Sequence, residues 1–160
     1  MSSRIDGENV LRQQLLELLR GGHAHQSFED IIAGFPLEKI NEKPPKMPYT
    51  IWQLLEHIRI AQDDILRFIL DPDYTSPEWP TGYWPDRQVQ ADEQMWQRSI
   101  AQYQNDHRQL IELVANPETD LTAPIPHAKD YNILREILVV SDHNAYHIGE
   151  LGILRHSLTR

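Results

Sequence analysis

The chain has 160 residues, 40% hydrophobic and 24% charged, the balance of one globular domain rather than a disordered segment. Its 15 Lys and Arg stand against 24 Asp and Glu, and the formal charge of −9 disfavours phosphate backbones and anionic lipid, so neither nucleic-acid nor membrane binding is expected. Cysteine is absent, which excludes disulfides, thiolate metal ligands and a cysteine nucleophile.

The opening MSSRIDGENV has no basic region leading into an apolar run, and no apolar stretch reaches membrane-spanning length. No signal peptide and a cytoplasmic location are therefore expected. A first helix is predicted from about Gly7 to Arg20, with Val10, Leu11, Leu15, Leu18 and Leu19 on one side and Gly21-Gly22 as its end. A shorter helical piece follows in SFEDIIAGF, with Ser27 as its cap and Asp30 three residues on. Pro36, Pro44, Pro45 and Pro48 then mark an irregular connection. A second long helix begins near Thr50, because Thr50 and Gln53 have the spacing of a capping box ahead of IWQLLEHIRIAQDDILRFIL. It ends at Asp71-Pro72.

Residues 71–90, DPDYTSPEWPTGYWPDRQVQ, hold four prolines and a glycine. A connection this long is unusual in a compact domain; it could cross a helical bundle from end to end and let helices two and three run parallel. The third helix is predicted over about Ala91 to Ala115, and the fourth from about Asn132 to Ser157, after the loop PETDLTAPIPHAKD. No stretch alternates apolar and polar residues between turn pairs, so no sheet is expected. The predicted fold is an all-α four-helix bundle, a single domain over residues 1–160, with a long crossover loop between helices two and three.

The fourth helix carries Asp142-His143-Asn144-Ala145-Tyr146-His147. Residues four apart lie one turn above each other, so both imidazoles can reach one point, and imidazole binds zinc, nickel, copper or iron while its second nitrogen meets an outer acceptor. This helix is apolar on nearly all sides through Ile133, Leu134, Ile137, Leu138, Val139, Val140, Ile148, Leu151, Ile153 and Leu154, and is expected to be buried on most of them. Two imidazoles at the edge of such an arc need partners, either a metal or neighbouring carbonyls and carboxylates. His57, midway along helix two beside Leu54 and Ala61, is the candidate third ligand, since a bundle completes a metal site from a facing helix. Three histidines with a position left for water make a catalytic type of site rather than a closed structural one.

Of the other histidines, His107 in the polar run QNDHR reads as solvated, and His23, His25 and His156 read as structural or surface residues. His127, in the loop before helix four, could overhang a pocket at one end of the bundle. Glu56 and Glu150 could each orient an imidazole or act as a base. Trp79, Tyr83 and Trp84 either line a substrate pocket or pack the 71–90 loop onto the helices.

At WQLLEHIRIAQ around His57 and SDHNAYHIGELGILR around His143 and His147, the sequence resembles the DinB-like superfamily, which includes the YfiT-like proteins. The resemblance spans almost the whole chain and fits its helix count. It implies a four-helix bundle and a divalent metal, nickel, zinc, iron or manganese, on His57, His143 and His147 with open positions for water. It also implies a frequent use of small thiols as cosubstrates, and homodimers. Three functions follow as expectations. The first is a transferase in which the metal lowers the pKa of a bound small thiol, the sulfur arriving with the cosubstrate. The second is a hydrolase that activates water on the metal, with Glu56 or His127 as its catalytic acid or base. The third is a non-catalytic bundle that binds metal without turnover.

Overall fold

The computed structural model describes the backbone of residues 2–159 and the side-chain surroundings of residues 7–159. Five α-helices and one two-stranded sheet make up its regular structure: α1 (Ser2–Arg20), α2 (Phe28–Ile32), α3 (Ile51–Leu70), α4 (Glu93–Ala115), β1 (Pro124–Ile125), β2 (Ala128–Asn132) and α5 (Ile133–Thr159).

Local chemistry sets the helix ends. Gly21 and Gly22 take φ of 64° and 81°, a left-handed conformation that ends α1 without a Cβ penalty. Ser27 caps α2 by accepting from the Asp30 N–H at 3.1 Å. The Thr50–Gln53 capping box is complete: Gln53 N–H donates to Thr50 Oγ1 at 3.1 Å and Thr50 N–H to Gln53 Oε1 at 3.0 Å. Asp92 caps α4, whose first turn therefore begins at Glu93, slightly later than the apolar pattern suggests.

The expectation of no sheet is corrected by the antiparallel hairpin in which Pro124 pairs with Asn132 and Ile125 with Ala128. One strand has only two residues, and the other shows no alternation of buried and exposed positions, so neither carries a periodic signal. The hairpin delivers the chain to α5, where Asn132 Oδ1 accepts from Arg135 N–H at 2.8 Å.

α3 packs against α4 and α5, and α1 packs against the same two helices. Along α3 and α4 the contacts ascend together. Ser99 donates to Glu56 at 2.6 Å, and Gln62 Nε2 donates to the Tyr103 carbonyl at 2.8 Å. The core falls into two apolar clusters. One contains Phe28, Ile51, Leu54, Leu55, Ile58, Trp96, Tyr103 and Leu151; the other contains Leu15, Leu19, Leu66, Leu110, Val114, Ile137 and Val140. Between them on α3 and α5 lie Gln62 and Asn144, whose side chains are joined at 2.8 Å.

Two expectations about burial are also corrected. His107 is half-buried rather than solvated, stacked on Tyr103 with centroids 5.8 Å apart. α5 is less enclosed than its composition implies: Leu138, Val139, Tyr146 and Ile153 are exposed. A helix packed by neighbours on one side keeps its outer stripe in solvent whatever that stripe is made of.

Candidate metal centre

His57 projects from the middle of α3 on the face it shares with Leu54 and Ala61, both buried. His143 and His147 come from α5, one turn apart. The Gln62–Asn144 hydrogen bond sets the register between the two helices, and the three imidazoles meet. His57 Nε2 lies 3.2 Å from His147 Nε2 and 3.2 Å from His143 Nε2. Among the described residues, these three histidines form the group whose ligand atoms all lie within 4.8 Å of one another.

The opposite ring nitrogens explain what those short contacts mean. His57 Nδ1 is 2.7 Å from the Tyr83 carbonyl, and His147 Nδ1 is 2.6 Å from Glu150 Oε2. A carbonyl and a carboxylate can only accept, so both Nδ1 atoms carry the proton. In the neutral rings, the two Nε2 atoms then face each other with bare lone pairs. That arrangement is repulsive unless a cation sits between them. Four-coordinate zinc, with bonds of about 2.0–2.1 Å, spaces its nitrogen ligands by about 3.3 Å. The residues present therefore fit a divalent ion.

The electrostatics keep the rings ready to bind. Burial lowers the pKa of His57, against the raising effect of the Tyr83 carbonyl. Burial, reinforced by the neighbouring His147 and His57, lowers that of His143 to about 4. Both are neutral near pH 7, the state in which imidazole binds a metal. His143 Nδ1 is buried with no hydrogen-bond partner.

Trp84 stacks flat on His57, with centroids 3.9 Å apart and planes 1° from parallel. The same indole, with Pro48, Tyr49, Gln53, Pro80 and Arg87, lines a cavity of about 690 Å3. Its neighbour Trp79 points away, 76% exposed. The two roles weighed for the loop aromatics are thus combined in Trp84, which both packs on α3 and walls a cavity.

Glu56 and His127 do not join the cluster. The Glu56 carboxylate accepts from Arg59 at 3.0 and 2.7 Å and from Ser99 at 2.6 Å, on the side of α3 that meets α4. His127 Nε2 donates to the Phe68 carbonyl at 2.7 Å, near the C-terminal end of α3. Glu150 is the carboxylate that touches an imidazole of the cluster, that of His147. Sequence reasoning missed Gln62 and Asn144 as the link between the helices. The available signal was a polar residue within the apolar face of α3, and an asparagine placed between the two histidines.

A family model described as the DinB superfamily matches residues 20–151, which include all three histidines. The chain belongs to the DinB superfamily. As a DinB superfamily member it carries the whole of α3 and residues 133–151 of α5 inside the matched region. Among curated proteins and among solved structures, none matches the chain.

Proposed function

We propose that this DinB superfamily chain is a divalent-metal-dependent enzyme, held on His57, His143 and His147, that transfers groups to or from a low-molecular-weight thiol. The observation that carries the metal reading is the convergence of three Nε2 atoms while two of the Nδ1 atoms are tied back by Tyr83 and Glu150. Three imidazoles suit nickel or zinc best, with iron or manganese as alternatives set by supply. When bound, the ion would lower the pKa of a cosubstrate thiol, which would lose its proton to solvent and stand as a nucleophilic thiolate at neutral pH. Cysteine is absent from the chain, so the sulfur has to come from a cosubstrate. The chain's own residues hold the geometry: Tyr83 and Glu150 orient two rings, Trp84 covers His57, and the 690 Å3 cavity beside Trp84 has the size of a small-molecule site.

The reading takes the fold as a four-helix bundle of α1, α3, α4 and α5 with residues 71–90 as the crossover. It rests on the pairings of α3 with α4, which rise in step, as parallel helices require. It also takes the protein to be a cytoplasmic homodimer. Exposed Val139, Tyr146 and Ile153 recur every seven residues on α5 and support a helix-to-helix contact between copies. Sedimentation of the wild type and of Ile153→Asp tests this, with a dimer expected only in the first. Among the described residues no helix is long and apolar enough to cross a membrane.

The deciding experiment is elemental analysis of purified wild type, His57→Ala and His143→Ala. About one divalent ion per chain is expected in the wild type and none in either variant, with helical circular dichroism retained in all three. The loaded protein is then incubated with a small thiol and a panel of electrophiles, and with esters and amides. Thiol consumption supports the transferase. Ester or amide cleavage without thiol consumption replaces it with the hydrolase, and neither activity leaves a non-catalytic metal-binding protein.

A further inference from the structure

Asp64 is a carboxylate in an expensive place. It lies two turns beyond His57 on the same face of α3, 9% exposed, and forms no salt bridge among the described residues. One oxygen accepts from the Tyr83 hydroxyl at 2.7 Å, and the other has no partner. A helix that needed only packing at this position would carry an apolar residue.

Tyr83 connects Asp64 to the metal centre. Its hydroxyl is bound by Asp64, while its main-chain carbonyl accepts from His57 Nδ1 at 2.7 Å. Seven residues of α-helix separate Asp64 from His57 by about 10 Å, a gap that one tyrosine with a hydrogen bond at each end can span. Tyr83 thus lies along α3 as a strut, pinned at both ends to the same rigid helix. Burial and the Asp64 carboxylate push the Tyr83 phenol up to about 12, so at neutral pH it keeps its proton and donates. Tyr74, from the same loop, is pushed up to about 12 by burial and by the same carboxylate. The residue after Tyr83 is Trp84, whose indole covers the His57 ring.

The geometry points to Asp64 as a positioning residue for the metal centre: through Tyr83 it holds the loop carbonyl and the indole that orient His57, without touching a ligand itself. This rests on the reading of the histidines as a metal centre. A carbonyl at Nδ1 fixes which nitrogen of His57 is free for the metal, and outer partners of this kind alter metal affinity about 10- to 100-fold. If the Tyr83 hydroxyl is released, its carbonyl is free to drift from His57, and both the tautomer and the ring plane lose their constraint.

The test is a Co2+ titration of the metal-free protein, followed by the visible absorption of the bound ion, in wild type, Asp64→Asn, Tyr83→Phe and the double variant. Far-ultraviolet circular dichroism is recorded for each. Each single variant is expected to bind Co2+ about tenfold more weakly with an altered band pattern. The double variant is expected to be no weaker than either single one, because the two groups form one strut. Unchanged affinity and bands in both single variants would overturn the proposal. Additive losses in the double variant would overturn it too, since they would mean the groups act independently. Tyr83→Phe keeps the main-chain carbonyl and removes only the hydroxyl, so it decides the matter even if Asp64→Asn does not fold. A wild type that takes up no Co2+ would instead remove the metal-centre reading, and the strut's role with it.

Discussion

His57 and His147 donate through Nδ1 to oxygen atoms that can only accept, which leaves the Nε2 lone pair of each free for a metal. Glu150 is the charged member of that outer ring. Glu150→Gln keeps the size of the side chain but replaces the carboxylate with a weaker acceptor. Competition against a chelator should then show metal affinity lowered about tenfold. An unchanged affinity would assign Glu150 to packing. A second titratable group, outside the site, has the opposite character. Asp106 is 5% exposed with one oxygen unpartnered, and burial holds its pKa above the usual value of 3.8 against the lowering effects of Asn105, Arg59 and Arg67. With the folded pKa raised, the folded state binds more protons than the unfolded one above pH 3.8. Stability therefore falls as pH rises through the folded pKa, and the charged form opposes folding at neutral pH. Asp106→Asn should raise the melting temperature at pH 7 and lose that advantage near pH 3, as thermal melts at the two pH values would show.

At the scale of elements, helix ends as well as helix faces hold the fold together. Arg12 of α1 is 6% exposed and donates to the Val114, Asn116 and Thr119 carbonyls at 2.6, 2.8 and 2.9 Å. These lie at and just beyond the end of α4, where the carbonyls have no helical partners and a positive charge is favoured. One side chain thereby locks α1 to the end of α4. Arg12→Met leaves the carbonyls unpaired, and urea titration should show a loss of about 3 kcal/mol. The 71–90 loop is fastened in a comparable way, through Tyr83 to Asp64 and His57, and its two halves meet where Gly82 approaches Pro77. A Cβ on Gly82 would stand 2.7 Å from the Pro77 Cβ, so the loop's fold requires glycine there. The capping pairs were legible in the sequence because a cap is a local event, read from residues three apart. The hairpin and the Arg12 contacts were not, since one is too short for periodicity and the other joins residues more than 100 positions apart.

Across the whole molecule, the apolar clusters on either side of the Gln62–Asn144 pair draw on all four long helices. Both clusters are built from apolar side chains alone, so removal of an ion bound on His57, His143 and His147 should leave the helices folded. Chelation is expected to preserve helical circular dichroism at 25 °C while lowering the melting temperature. A free ion at 100 times its dissociation constant contributes about 2.7 kcal/mol of stability. Collapse of the helical signal on chelation would make the ion structural.

The sequence by itself determined the long helices, the Ser27 and Thr50 caps, and the pair His143 and His147, because a helical repeat, a cap and a four-residue spacing are properties of the chain alone. It also supplied His57 as a candidate, through its motif and its place opposite the pair. The tertiary structure decided which carboxylate meets an imidazole. Glu56 precedes His57, yet it turns about 100° around α3 to face α4, while Glu150 follows His147 by three and returns to the same face. It decided too that Tyr83 and Trp84, from a loop without periodicity, close over His57. Loop residues reach a site by the path of the folded chain, and that path is written in contacts between distant residues rather than in the spacing of near ones.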